Sequence, residues 1–204
     1  MRSTDAYAEL LRLGLPLVET GEVAARVGIS AARASQLLGS LAEAGLVLRV
    51  RPGLWALGPD PDPAVVAPYL TAPFPAYLSF WSALARHGMI EQIPAEISVA
   101  STGKSRRIQS ALGGFSIHHL APELFTGFTG SPERGYLATP EKALFDSVYL
   151  RAPRGGRLYL PELSLPEGFD SAALDSYLER IARPSLRTLV RRGLDQALAA
   201  VVEE

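Results

Sequence analysis

Thr20-Gly21-Glu22-Val23-Ala24-Ala25-Arg26-Val27-Gly28-Ile29-Ser30 is the stretch on which the fold turns. Thr20 can cap a helix that Glu22 and Val23 open and Gly28 ends. Gly28 also permits a tight turn, Ile29 can plug the core, and Ser30 caps a following helix that runs to about Gly45. Ala24 is the small residue required where two such helices cross. Along the Ser30–Gly45 helix, Ala34, Leu37, Leu38, Leu41 and Gly45 keep a helical period, so that face points inward. Its outward face carries Ala32, Arg33, Ser35, Gln36, Ser40 and Glu43. Upstream, Asp5 to Gly14 reads as a helix with Ala6, Leu10 and Leu13 on one side. Downstream, Leu46 to Val50 and Leu54 to Leu57 read as short strands around a Pro52-Gly53 turn. This order predicts a winged helix-turn-helix over residues 1–58.

In that arrangement the N-terminal part of the last helix reaches base edges in the major groove. Arg33 suits a guanine edge or a phosphate, Gln36 suits adenine, and Ser30 or Ser35 suits either a phosphate or a base. Ser40 lies further along the same face. Arg49 and Arg51 share one strand face and suit phosphate or minor-groove contacts. The expected partner is therefore double-stranded DNA. The alternative use of such a module is protein interaction. Residues 1–58 hold six arginines against five acids, and the whole chain carries a formal charge of -1. One copy would bind weakly, so self-association on DNA or repeated operator sites are expected.

Gly58-Pro59-Asp60-Pro61-Asp62-Pro63 cannot continue a helix or a central strand. It marks residues 59–63 as a linker between the first domain and a mixed α/β domain over residues 64–204, an α+β fold overall. There, Ala64 to Leu70 and Ser79 to Gly88 read as helices, and Glu96 to Ala100 and Phe115 to Leu120 as strands. Thr139-Pro140-Glu141 starts a helix that runs to about Leu150: a capping hydroxyl, proline at the first position, and an acid against the dipole. Ala152 to Gly156 reads as a loop and Arg157 to Leu160 as a strand. Asp170 to Ala182 and Pro184 to Val201 read as terminal helices. Cysteine is absent from the 204 residues, which excludes disulfides and thiolate metal sites. Neither an apolar segment behind Met1-Arg2-Ser3-Thr4-Asp5 nor a run of about 18 apolar residues occurs, so a cytoplasmic location is expected.

Ser101-Thr102-Gly103-Lys104-Ser105 hints at a phosphate-cradling loop, but the glycine required five residues before Gly103 is Ser98. Lys104, Arg106 and Arg107 read instead as an exposed basic loop, a secondary candidate for phosphate contact. Arg187 and Arg191 on the last helix form another, against the alternative of a solvated face paired with Glu179 and Asp195. His118 and His119, adjacent on a strand, point to opposite faces and do not share a metal. Lys142 and Asp146 are an i,i+4 pair. No catalytic residue, cofactor or metal is expected.

Two blocks in the second domain are distinctive. One is Tyr77-Leu78-Ser79-Phe80-Trp81-Ser82-Ala83-Leu84-Ala85-Arg86-His87-Gly88 with Met89-Ile90-Glu91-Gln92-Ile93-Pro94. The other is Tyr136-Leu137-Ala138-Thr139-Pro140-Glu141-Lys142-Ala143-Leu144-Phe145-Asp146, running on to Leu150. With Ile97-Ser98-Val99-Ala100-Ser101 and Phe125-Thr126-Gly127-Phe128 between them, behind a winged helix, the chain resembles the AbiEi antitoxin family of abortive-infection systems. The resemblance covers nearly the whole chain. It implies a repressor that binds repeats in its own promoter. It also implies a second domain that counters a nucleotidyltransferase-like toxin without forming a stable complex with it. The other two readings are a winged-helix regulator with a ligand- or protein-binding second domain, and an enzyme acting on nucleic acid.

Overall fold

Leu10 of helix α1 (Ser3–Leu11), Val23 and Ala24 of α2 (Thr20–Val27), and Ala34, Leu38 and Leu41 of α3 (Ala31–Glu43) close on one another as an apolar cluster. The computed structural model describes residues 3–152 and 163–201 of this mixed α+β chain. Strands β1 (Leu17–Glu19), β2 (Leu48–Arg51) and β3 (Leu54–Ala56) form an antiparallel sheet in the order β1-β3-β2. Alternation along the strands gives this sheet two apolar faces. Val18 and Trp55 turn towards the three helices, while Leu17, Val50, Leu54 and Ala56 turn away from them.

Two local details depart from the sequence reading. Leu17–Glu19 is too short to show a period in the sequence, yet it pairs in full with β3 through Leu17↔Ala56, Val18↔Trp55 and Glu19↔Leu54. Thr20 is not the cap of α2. That position is Glu19, whose side chain forms a reciprocal box with Glu22. The Thr20 hydroxyl instead accepts the Trp55 indole N–H at 2.9 Å and ties α2 to β3.

The rest of the chain surrounds a six-stranded mixed sheet. Its strands are β4 (Ala76–Leu78), β5 (Ile97–Ser101), β6 (Arg106–Ser110), β7 (Gly113–His119), β8 (Phe128–Ser131) and β9 (Gly135–Ala138). They lie in the order β6-β7-β5-β4-β9-β8. The β4–β9 and β5–β7 pairs are parallel and the others antiparallel. Of these, only β5 and β7 were anticipated. Arg106 and Arg107, expected in a loop, lie in the edge strand β6, whose polar residues carry no apolar alternation. The strand expected at Arg157 to Leu160, and all but Ala152 of the loop before it, lie outside the described residues.

Each face of the large sheet has its own cover. Ala76, Leu78, Val99, Phe115 and Ile117 meet α4 (Pro63–Thr71) and the outward residues Leu17, Val50, Leu54 and Ala56 of the small sheet in one cluster. The proline-rich segment therefore crosses a continuous apolar interface. Asp62, at its end, caps α4 by accepting the Ala64 N–H at 2.8 Å and pairs with Arg86 at 2.8 Å. The opposite face carries α5 (Phe80–Arg86), α6 (Pro140–Arg151), α7 (Ser171–Glu179) and α8 (Pro184–Ala199). α6 and α8 approach closely at Gly193, where a Cβ would lie 2.6 Å from Val148 Cγ1.

Inside this second layer sits a buried ion pair. The Lys142 ammonium donates to Asp146 Oδ1, and both side chains are fully buried. Asp146 Oδ2 accepts the Ser79 hydroxyl at 2.7 Å and the Tyr77 hydroxyl at 3.0 Å. The ammonium also lies 4.9 Å from the Phe145 ring centre and 5.4 Å from that of Tyr177. Burial pushes Lys142 below the usual lysine range and Asp146 above the usual carboxylate range, each opposed by the charge of its partner. Removing one member of such a pair leaves an uncompensated buried charge, whose cost is about 3–5 kcal/mol. Lys142→Met is accordingly expected to lower unfolding free energy by that amount in urea titrations. A loss under about 1 kcal/mol would mean the pair is solvated.

Candidate nucleic-acid interface

The α2–α3 corner is built from three local signals. Gly28 takes the left-handed conformation with φ 70° at the end of α2, which costs glycine nothing and other residues strain. Ile29 packs against the helical cluster. Ser30 then accepts the Arg33 N–H at 3.3 Å and starts α3. Ala34, Leu38 and Leu41 are buried, and this rotation leaves Arg33, Ser35, Gln36 and Ser40 exposed along the other side. Among the described residues, no hydrogen bond or ion pair engages the side chains of Arg33, Ser35, Gln36 or Ser40.

Beside this helix, the β2–β3 hairpin brings Arg49 and Arg51 to the surface. Arg49 is exposed and its guanidinium lies 5.5 Å from the Trp55 ring centre, on the face that looks towards α3. A β-bulge between Arg49 and Arg51 breaks the expected alternation, so the two do not share a strand face. Arg51, opposite Leu54, is half-buried and donates to the Pro52 carbonyl at 3.4 Å, a weak contact. Val50 faces the opposite way, and its carbonyl accepts the Ala111 N–H from the β6–β7 turn at 3.3 Å. As a result Arg49, Arg51 and Pro52 share a shallow groove with Gln109 and Ser110 of β6. Sequence reasoning missed Gln109 and Ser110. The β6–β7 turn is Ala111-Leu112, which carries none of the Gly, Asn or Asp signals of a tight hairpin.

The secondary basic candidates have different surroundings. Lys104 is exposed in the turn between β5 and β6. That turn leads into a strand, whereas a phosphate-cradling loop of the kind its sequence hints at opens a helix. Arg106 donates to the Leu70 carbonyl at 2.7 Å and Arg107 pairs with Glu96 at 3.3 Å. Arg187 donates to the carbonyls of Ile181, at 2.8 Å, and Glu179, at 3.3 Å, where α7 gives way to α8. Arg191 pairs with Asp175 at 3.0 Å rather than with Asp195. The α3 set is thus unengaged, while Arg106, Arg107, Arg187 and Arg191 all hold partners within the chain.

The two distinctive sequence blocks converge on a single atom group. Tyr77 and Ser79 from the first block and Lys142 from the second all bond the Asp146 carboxylate. No family model and no curated protein sequence matches this chain. No helix among the described residues is long and apolar enough to cross a membrane.

Loss of the Ser30 cap is expected to cost about 1 kcal/mol. In Ser30→Ala, amide exchange should accelerate over the first turn of α3 and stay unchanged in α6, whose own cap is Thr139. Equal acceleration in both helices would indicate a global loss of stability instead.

Proposed function

We propose that residues 1–58 are a winged helix-turn-helix that binds duplex DNA, and that the chain is a cytoplasmic, non-enzymatic autorepressor. The observation that carries this reading is the outer face of α3. Four polar side chains of groove-reading type stand there without partners, next to the two arginines of a short hairpin. A polar row that neither packs nor pairs stabilises nothing in the monomer, and Arg33 and Gln36 offer the paired donors and acceptors that guanine and adenine edges accept. The order helix, strand, helix, helix, strand, strand agrees with the same reading. Operator repeats in the chain's own promoter would offset the small net charge of this part.

We further propose that the second part serves as the antitoxin of an abortive-infection pair, opposite a nucleotidyltransferase-like toxin. Support for this is the resemblance of the Tyr77–Pro94 and Tyr136–Leu150 blocks. Their meeting at Asp146 accounts for the residue types by folding, so the antitoxin role rests on the blocks as a whole and on no single side chain.

A mobility-shift assay on the DNA upstream of the chain's own gene tests the repressor reading. Arg33→Ala/Gln36→Ala is expected to weaken binding at least about tenfold and to blur sequence preference, because each base contact is worth roughly 1–3 kcal/mol. Arg49→Ala/Arg51→Ala should weaken all sequences alike and reduce the slope of log affinity against log salt by about 2. Absence of a salt-sensitive, sequence-preferring shift by the unaltered chain would refute DNA binding. A normal shift by the α3 double variant would refute the placement of the reading helix.

A further inference from the structure

The side of the large sheet that faces α5 to α8 is unevenly covered. Over β4 and β9 it is apolar, with Tyr77 and Ala138 in the core. Over β5, β7 and β6 it turns polar. The register sets Ser98 opposite Ser116 and Ser116 opposite Arg107, and His118 follows two residues on along the same face. The other face of the same strands holds Val99, Phe115 and Ile117 in the core. α5 and α6 flank the polar patch without covering it, and the result is a cleft of about 340 Å³.

The walls are set by specific contacts. Ser82 of α5 accepts the Ser98 N–H at 2.8 Å and donates to the Glu96 carbonyl at 3.4 Å, which fixes the helix against β5. Phe80 adopts φ 54°, a region a bulky residue rarely enters. Its ring meets His118 edge-on at 4.8 Å. Trp81, next along α5, is half-buried in the cleft wall, and Arg151 closes the α6 side. Among the described residues, no hydrogen bond or ion pair engages the side chains of Ser98, Ser116, Trp81 or Arg151.

Among the described residues the cleft holds the guanidiniums of Arg107 and Arg151 and the carboxylate of Glu96. Arg107 pairs with Glu96 at 3.3 Å, so the unengaged Arg151 leaves one positive charge in excess, which favours an anion. Guanidinium forks and serine hydroxyls match phosphate oxygens in geometry and in donor count. The Trp81 ring adds a flat apolar wall suited to an aromatic ring. The volume lies at the small end of ligand pockets, enough for one mononucleotide-sized molecule. We propose that this cleft binds a small phosphate monoester carrying a flat ring, a nucleoside monophosphate or a molecule of that size and chemistry. The proposal uses none of the α3 residues and stands or falls separately from the DNA reading.

Calorimetric titration with AMP and GMP, with adenosine and inorganic phosphate as separate arms, tests it. Saturable one-to-one binding of a monophosphate is expected, weakened at least about tenfold in Arg107→Ala/Arg151→Ala. Both arginines are exposed, so this variant should keep the melting temperature of the unaltered chain. The chain has two tryptophans, and Trp55 is buried in the first cluster. Fluorescence quenching by the bound monophosphate should therefore vanish in Trp81→Phe. No saturable binding at millimolar ligand overturns the proposal, as does binding that the arginine double variant leaves intact. Adenosine binding as tightly as AMP would refute the phosphate contact, and inorganic phosphate binding as tightly would refute the ring contact.

Discussion

The small sheet has only three strands, and both of its faces are apolar. Leaving the second face in water would expose Leu17, Val50, Leu54 and Ala56, a loss in proportion to the apolar area uncovered. α1, α2 and α3 cover one side. The other is covered by α4 and the large sheet, through Leu17, Val50, Leu54 and Ala56 against Phe115, Ile117 and Val99. This shared cluster dictates the architecture. It holds the β2–β3 hairpin against the β6–β7 turn and fixes which side of α3 remains free. It also makes the proline-rich segment a short crossing between docked parts.

Asp146 plays a comparable organising part on the far side of the large sheet. A carboxylate buried in full needs several donors, and it receives them from β4, from the residue that follows β4, and from one turn earlier in α6. Apolar contacts alone would let α6 slide along its axis. The two directional bonds from Tyr77 and Ser79 set its register against the sheet, while Lys142, within α6 itself, balances the charge. α6 in turn forms one wall of the polar cleft, so the precision of that wall depends on charges that never meet solvent.

Local signals were legible where a single residue type decides a backbone state. Gly28 ending α2, Ser30 starting α3 and Thr139-Pro140 starting α6 were all readable, because caps and left-handed turns are written within a few residues. The inward face of α3 was readable from its period. What escaped was decided by pairing across distance. β1 is three residues long and exists because β3 lies beside it. β6 is polar and stays a strand because Phe115, Ser116 and Ile117 of β7 bond it. Lys142 and Asp146 show the limit clearly. Their spacing marked a helix pair, but nothing near them in sequence said that Tyr77 and Ser79 would enclose it. The cleft was illegible for the same reason, since its lining comes from five separate stretches of chain.

The Ala111 N–H bond to the Val50 carbonyl joins the hairpin to the second part of the molecule at its outer edge, in addition to the shared cluster behind it. With both in place, α3 is tied to the second part of the molecule through the small sheet it packs on. In an assembly of two copies on one duplex, the two α3 helices would then be placed by the docking of whole chains and not by movement of α3 alone. Double-stranded DNA repeats its groove about every 10 base pairs. If two copies bound one duplex as proposed, wrongly spaced repeats would be rejected by geometry before any base was read.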